Sequence, residues 1–234
     1  MTRSKLAIVR MARSLIDLAG MPVARLCFDS GINPDQIGAT YKLFTKRHPK
    51  YKLVGNKTLG IALIDLARYR CADDYLRTIA RREFAGADYW QARSYGYTVV
   101  QIDRNDYVDD IHDIAISLVQ RQGATMTTSE LRKKYRYVDM ANFRYYGVLD
   151  REGRLLAYCN FGIYGNFAAT DKLLGYNNCD GVMYLLLIEI VCRLIDEGGY
   201  SYFMYDSFVD NGPGQSLFKR KIGFQPYRAK YSIQ

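Results

Sequence analysis

The sequence predicts an α+β protein: a central mixed, mostly antiparallel twisted sheet flanked by helices, with a basic N-terminal extension. Three observations lead there. Residues 143–176 hold three short apolar runs separated by turn signals. Residues 182–197 are apolar at helical spacing and end at Gly198-Gly199. Strand-like, β-branched or aromatic runs stand on either side of these, at 97–103 and 200–209.

Composition excludes several classes. Apolar residues make up 49% and charged residues 24% of 234 positions, as in a folded globular chain rather than a disordered or collagen-like one. Five cysteines without a C-x-x-C pair argue against a disulfide framework or a zinc ribbon. The two histidines, His48 and His112, are too few for a His-rich metal site, so no metal is expected. The segment 182–195 carries Glu189 and Arg193 and falls short of the roughly 20 residues that cross a bilayer. Arg10 and Arg13 interrupt the first apolar stretch, unlike a secretory leader. A soluble, cytoplasmic protein with no membrane partner is therefore expected. The net charge of +9 favours polyanionic partners, nucleic acid or a nucleotide-like cofactor among them.

Taken in order, residues 3–19 read as a basic amphipathic helix ended by Gly20 and Pro22. VARLCF, 23–28, reads as a short strand or a helical turn, and 29–35 as a loop. Residues 41–57 hold six cationic side chains and no acid, interleaved with Tyr41, Phe44 and Tyr51. Alternation about His48-Pro49 predicts two extended arms. Such a stretch can grip phosphates and stack on bases through Lys46, Arg47 and Tyr51, or it can be an edge hairpin guarded by lysines. TLGIALIDL, 58–66, is a buried strand or a helix start, and 72–85 a helix. YTVVQID, 97–103, is a strand. Asn105 or Asp106 caps a helix from Tyr107 to about Gln120. A short helix follows over 129–136, then strands over 143–150, 155–164 and 167–176. After the helix from Val182, residues 200–209 form a strand and 215–223 a short helix. Strands FQPY and RAKYSI complete the chain.

This order resembles the GNAT acyltransferase fold over residues 95–234, leaving 1–90 as the extension. LFKRKIGFQPY, 217–227, resembles the basic helix and Gly-Phe turn that close that fold and its FemAB-type relatives. RLLAYCNFG, 154–162, resembles its central hairpin. The resemblance implies acyl transfer from an acyl-CoA, most simply acetyl-CoA, to an amine. The coenzyme's pyrophosphate would rest on backbone N–H groups at a helix N-terminus. The matching place is NNCDGVM, 177–183, with Asn177, Asn178, Gly181 and Val182 as contacts. The usual final small residue is Met183 here, and Asp180 brings a negative charge. The segment also reads as an ordinary helix cap. FemAB-type relatives use aminoacyl-tRNA, which makes that the alternative donor. Many GNAT enzymes carry a Tyr four residues before the Gly-Phe turn. Here that residue is Lys219, a leaving-group or phosphate contact.

Further chemistry is expected at YDS, 205–207: Asp206 as a base for an amine, Tyr205 or Ser207 as a proton donor or relay. Strand alternation sends Asp206 opposite to Tyr205 and Ser207 unless a bulge intervenes. Asp171 is a second candidate base. The resemblance makes Arg121 and Gln122 acceptor-pocket residues. The basic tail, with five cations between 219 and 230, makes a nucleic-acid-linked substrate an expectation from charge. The alternative to any transferase is a non-catalytic nucleic-acid-binding module on the same scaffold.

Overall fold

The computed structural model describes residues 20–49, 54–81, 85–117, 120–121, 124–125, 132–176, 180–208 and 211–234. The expected helix over 3–19 lies outside them. Eight strands form one sheet in the order β1-β10-β2-β9-β8-β7-β6-β3. They are β1 (Val23–Phe28), β2 (Ile61–Asp65), β3 (Thr98–Gln101), β6 (Phe143–Leu149), β7 (Leu155–Ile163), β8 (Phe167–Gly175), β9 (Tyr202–Ser207) and β10 (Gln225–Ile233). A separate ribbon pairs β4 (Gln120–Arg121) with β5 (Ala124–Thr125). Only β1–β10 and β8–β9 run parallel, so the sheet is mixed and mostly antiparallel, as expected.

Six helices stand out among the described residues: α1 (Pro34–Thr45), α2 (Ala72–Ala80), α3 (Ala85–Ser94), α4 (Val108–Ser117), α5 (Val182–Glu197) and α6 (Pro213–Ile222). None is long and apolar enough to cross a membrane. The largest buried cluster joins α2, α3 and α5 to one sheet face. Leu185, Leu186, Leu187, Ile188, Ile190 and Val191 are all buried within it. Burial on nearly every side of α5 suits a helix with so few charges, at roughly 2 kcal/mol for each large apolar side chain. A second cluster lies on the other face under α1 and α4, built from Leu26, Phe28, Ile37, Phe44, Ile114, Tyr158 and Phe167.

Several expectations are corrected. The division near residue 90 does not divide the sheet, because β1 pairs with β10 while β2 lies between β10 and β9. Residues 41–45 are helical rather than an extended arm. Pro34 opens α1, the Asn33 side chain accepts from the Gln36 N–H, and Ile37, Thr40 and Phe44 bury one face. Residues 132–136 are not helical. Lys133 pairs with Asp109, and the Tyr137 N–H goes to the Asn105 side chain, which ties this stretch to the start of α4. FQPY and RAKYSI form one strand that pairs first with β2 and then with β1.

Helix α3 has no counterpart in the sequence reading. Its buried positions are Ala85, Gly86, Tyr89 and Ala92, small residues that leave no apolar stripe, while Trp90 is exposed. A polar clamp fastens it to α5. Tyr89 donates to Glu189 at 2.7 Å and Arg93 donates to the same carboxylate at 2.9 Å. Burial, reinforced by the bond to Glu189, pushes the Tyr89 hydroxyl up to about 12.

Candidate active site

The site begins where two parallel strands part. β8 and β9 pair only at Phe167–Tyr202, Ala168–Phe203 and Ala169–Met204. Beyond these pairs β8 continues to Gly175 and β9 to Ser207 without partnering each other. Each strand also slips by one residue against its outer neighbour at this level. Asn160 and Phe161 on β7 oppose Lys172 and Thr170, so Asp171 is the extra residue. Leu63 and Ile61 on β2 oppose Met204 and Ser207, which puts the extra residue of β9 at Tyr205–Asp206. Asp206 has a φ of 55°, left-handed backbone that a short polar residue tolerates best. A bulge re-aims side chains. The bulge that the sequence reading required before Tyr205 and Asp206 can serve one site is therefore present.

Two clefts meet at Tyr205. One, of about 260 Å³, lies on the α1 side and is lined by Phe44, Lys57, Thr170, Asp171, Leu173, Met204, Tyr205 and Asp206. Lys57 forms an ion pair with Asp206 inside it. The other, of about 470 Å³, lies at the start of α5 and is lined by Asp88, Gly181, Val182, Met183, Tyr184, Tyr205, Phe218 and Lys221. Behind Tyr205 sits Lys219, only 3% exposed. Its ammonium donates to the Ser207 carbonyl at 2.6 Å and lies 4.6 Å from the Tyr205 ring centroid. Burial pushes its pKa down to about 8; nearby Asp206 opposes that shift and Lys57 adds to it. Asn160, across the ladder from the Asp171 bulge, keeps a buried side-chain oxygen with no partner among the described residues. By alternation with Tyr158 it shares the α1 face, where an incoming N–H donor would complete it.

The start of α5 differs from a free anion cradle. The Asp180 carboxylate accepts from the Val182 N–H at 3.3 Å and from the Tyr97 hydroxyl at 3.0 Å. Gly181 has a φ of 79°, and a Cβ there would stand 2.0 Å from the Asp88 carbonyl oxygen. Glycine is thus required for packing against α3, whatever the cleft beside it holds. Lys221 stands 4.0 Å from the Asp88 carboxylate, which offsets its charge. Gly181→Ala is expected to destabilise the fold by about 2–4 kcal/mol, through the clash and the strained φ together. A urea denaturation midpoint compared with wild type measures it.

The structure thus gathers Tyr205, Asp206 and Asp171 at one cleft, with Lys219 beside Tyr205. Ser207 contributes its backbone: its carbonyl accepts from Lys219 and from Asn211. Gly181 and Val182 line the second cleft. Lys46 and Arg47 are exposed on the turn after α1 and line neither cleft among the described residues. Arg121 lies in the β4–β5 ribbon, outside the eight-stranded sheet. Tyr51, Gln122, Asn177 and Asn178 lie outside the described residues. Sequence reasoning missed Lys57 as a site residue, although it closes the basic stretch 41–57. It also missed Asp88, because α3 carries no periodic signal. Among the described residues no group of three or more His, Cys, Asp or Glu side chains is placed to hold a metal ion.

The architecture finds a counterpart among solved structures. FemX aligns with a TM-score of 0.54 at 11% identity, over 72% of this chain and 59% of that one. This chain has a GNAT-like fold. L-PGS from Bacillus licheniformis aligns with a TM-score of 0.45 at 17% identity, over 73% of this chain and 61% of that one. A GCN5-related N-acetyltransferase from Kribbella flavida aligns at 0.40 and 12% identity, over 74% and 58%. The chain thus spans about three fifths of the length of each of these structures. No family model matches the sequence, and no curated protein matches it.

Proposed function

We propose that the chain is an acyltransferase that moves an acyl group from an activated ester or thioester to a primary amine in the β8–β9 gap. The observation that carries this reading is the pair of bulges that bring Asp171 and Asp206 to one cleft where the parallel strands part. An amine entering from the α1 side meets Asp206, which takes its proton as it attacks the acyl carbon. The bulge at Asp171 leaves a backbone N–H outside the ladder, a fixed donor for the developing oxyanion. The Lys219 ammonium, buried behind Tyr205 and lining neither cleft, stabilises the departing anion through its field rather than by contact.

The described residues at the start of α5 speak against the diphosphate of coenzyme A there. The Val182 N–H is bound to Asp180, the Asp88 carbonyl packs against Gly181, and the Asp88 carboxylate stands against Lys221. A donor joined to nucleic acid, such as an aminoacyl-tRNA, is favoured by another feature. A cleft of about 750 Å³ beside α6 is lined by Arg68, Arg220, Phe208 and Tyr227, cations and aromatic rings that suit phosphates and bases. Arg220 immediately follows Lys219, which links that cleft to the transfer centre.

Thermal-shift titration tests both parts. A ligand present at a hundred times its Kd stabilises the native state by about 2.7 kcal/mol. Charged tRNA is expected to give such a shift, fading with salt, while acetyl-CoA gives none. A shift by acetyl-CoA at low micromolar concentration would restore coenzyme A as the donor. An equal response to bare tRNA and duplex DNA, without amide formation, would leave a binding module instead.

A further inference from the structure

We propose that Lys57 is a self-acylation site, the chain's own amine standing in the acceptor position of the transfer centre. The inference rests on the transferase reading above. Lys57 is the one amine among the described residues that line the α1-side cleft. Its ammonium is held by Asp206, the carboxylate placed to take a proton from an incoming amine. Its backbone is fixed on both sides: the Lys57 N–H donates to the Phe44 carbonyl at 2.9 Å, and its carbonyl accepts from the Tyr231 hydroxyl at 2.6 Å. The Lys57 side chain is 28% exposed, so it is held within the cleft rather than swinging in solvent. Tyr205 lines this cleft and the cleft at the start of α5 alike, so one side chain stands between the amine and an acyl group that reaches that second cleft. Such fixed proximity raises the effective concentration of the nucleophile.

The step balances without a further reactant. Asp206 takes a proton from the Lys57 ammonium, and the freed nitrogen bonds to the acyl carbon. The bond from that carbon to the ester oxygen or thioester sulfur breaks, the leaving group departs with the second proton that the attacking nitrogen sheds, and Asp206 gives the first to water. The product is a neutral amide on Lys57. It ends the ion pair and leaves the Asp206 and Asp171 carboxylates facing the cleft without a cation from Lys57.

The experiment uses the full chain and S-acetyl-N-acetylcysteamine, a small thioester that needs no phosphate contact, followed by intact mass and peptide mapping. The expected result is the gain of one acetyl group on Lys57, at least about tenfold faster than on the median lysine. The rate per chain should not depend on protein concentration. The preference should vanish in denaturant and in Lys57→Arg. Acetylation spread evenly over the lysines, or Lys57 left unmodified, would overturn the proposal. An added primary amine such as cadaverine separates the two readings. Amide formed on the added amine with Lys57 unmodified would sink self-acylation and leave the transferase standing. Lys57 acetylated with no product on any added amine would keep the reactive lysine and count against the transferase.

Discussion

Lys219→Met is expected to yield a chain that is more stable than wild type and transfers acyl groups at least about 100-fold more slowly. A buried ammonium whose pKa falls from 10.5 to about 8 is held at a cost of roughly 3 kcal/mol at neutral pH. Methionine fills similar volume without that charge, although the bond to the Ser207 carbonyl is lost. The net gain should be about 1–3 kcal/mol, in line with other replacements of buried charges by apolar side chains. Activity should fall by at least about 100-fold, because no other described cation is buried beside Tyr205 to meet the departing anion. The pH dependence carries the same signature. Below pH 8 the folded and unfolded states both hold the Lys219 proton, and the cost is fully present. Between about 8 and 10.5 the folded state releases the proton first, so wild-type stability rises with pH through that window. Lys219→Met should lack that rise, which denaturation midpoints at pH 7 and pH 9.5 measure. A methionine variant that is less stable at both values would show that the lysine's bonds outweigh its burial.

Asp206→Asn should remove activity while leaving the fold in place. Asparagine tolerates left-handed backbone almost as well as aspartate, so the bulge at φ 55° survives. The ion pair with Lys57 is half exposed on the aspartate side, where its loss costs within about 1 kcal/mol. What asparagine lacks is the ability to take a proton from the attacking amine, and loss of a general base costs about 10²–10⁴ in rate. Amide formation under saturating donor should therefore fall by that factor with little change in melting temperature. Asp171→Asn provides the comparison, since Asp171 lines the same cleft without a contact to Lys57 in the pairs described. An equal loss in both would divide the proton transfer between the two carboxylates.

The sequence made the C-terminal two thirds legible because its periodicities are strong. The strands over 143–176 and the helix from Val182 to Glu197 stand within a residue or so of where turn signals and Gly198 put them. The N-terminal part was less legible for physical reasons. α1 is set by a cap at Asn33 and by three buried residues spaced along one face, and only its last turn falls within the basic stretch read as extended arms. β1 and β2 look like local pieces of an extension, yet each takes its ladder from strands more than 130 residues away. α3 buries alanine, glycine and one tyrosine, a face without apolar contrast.

At the site, YDS and Asp171 were recognisable as polar residues at strand ends beside a parting pair. Their convergence was not, because it depends on two register slips that no local signal encodes. Lys57 was hidden among six cations of the basic stretch. Only the fold distinguishes the one that reaches Asp206. The segment before α5 offered two readings, and of it only Asp180 and Gly181 are described; the Asp180 carboxylate accepts from the Val182 N–H there.

The central claim is that acyl transfer to an amine occurs in the gap between β8 and β9. The most direct measurement is amide formation on an added primary amine, followed by mass spectrometry with charged tRNA, acetyl-CoA and a small thioester as donors. Wild type, Asp206→Asn and Lys219→Met would run side by side. The expected result is amide from at least one donor with wild type, reduced by about 100-fold or more in both variants. Amide formation at the wild-type rate in both variants would place the chemistry elsewhere. No amide from any donor, with salt-sensitive nucleic-acid binding intact, would show that this scaffold binds without catalysing transfer.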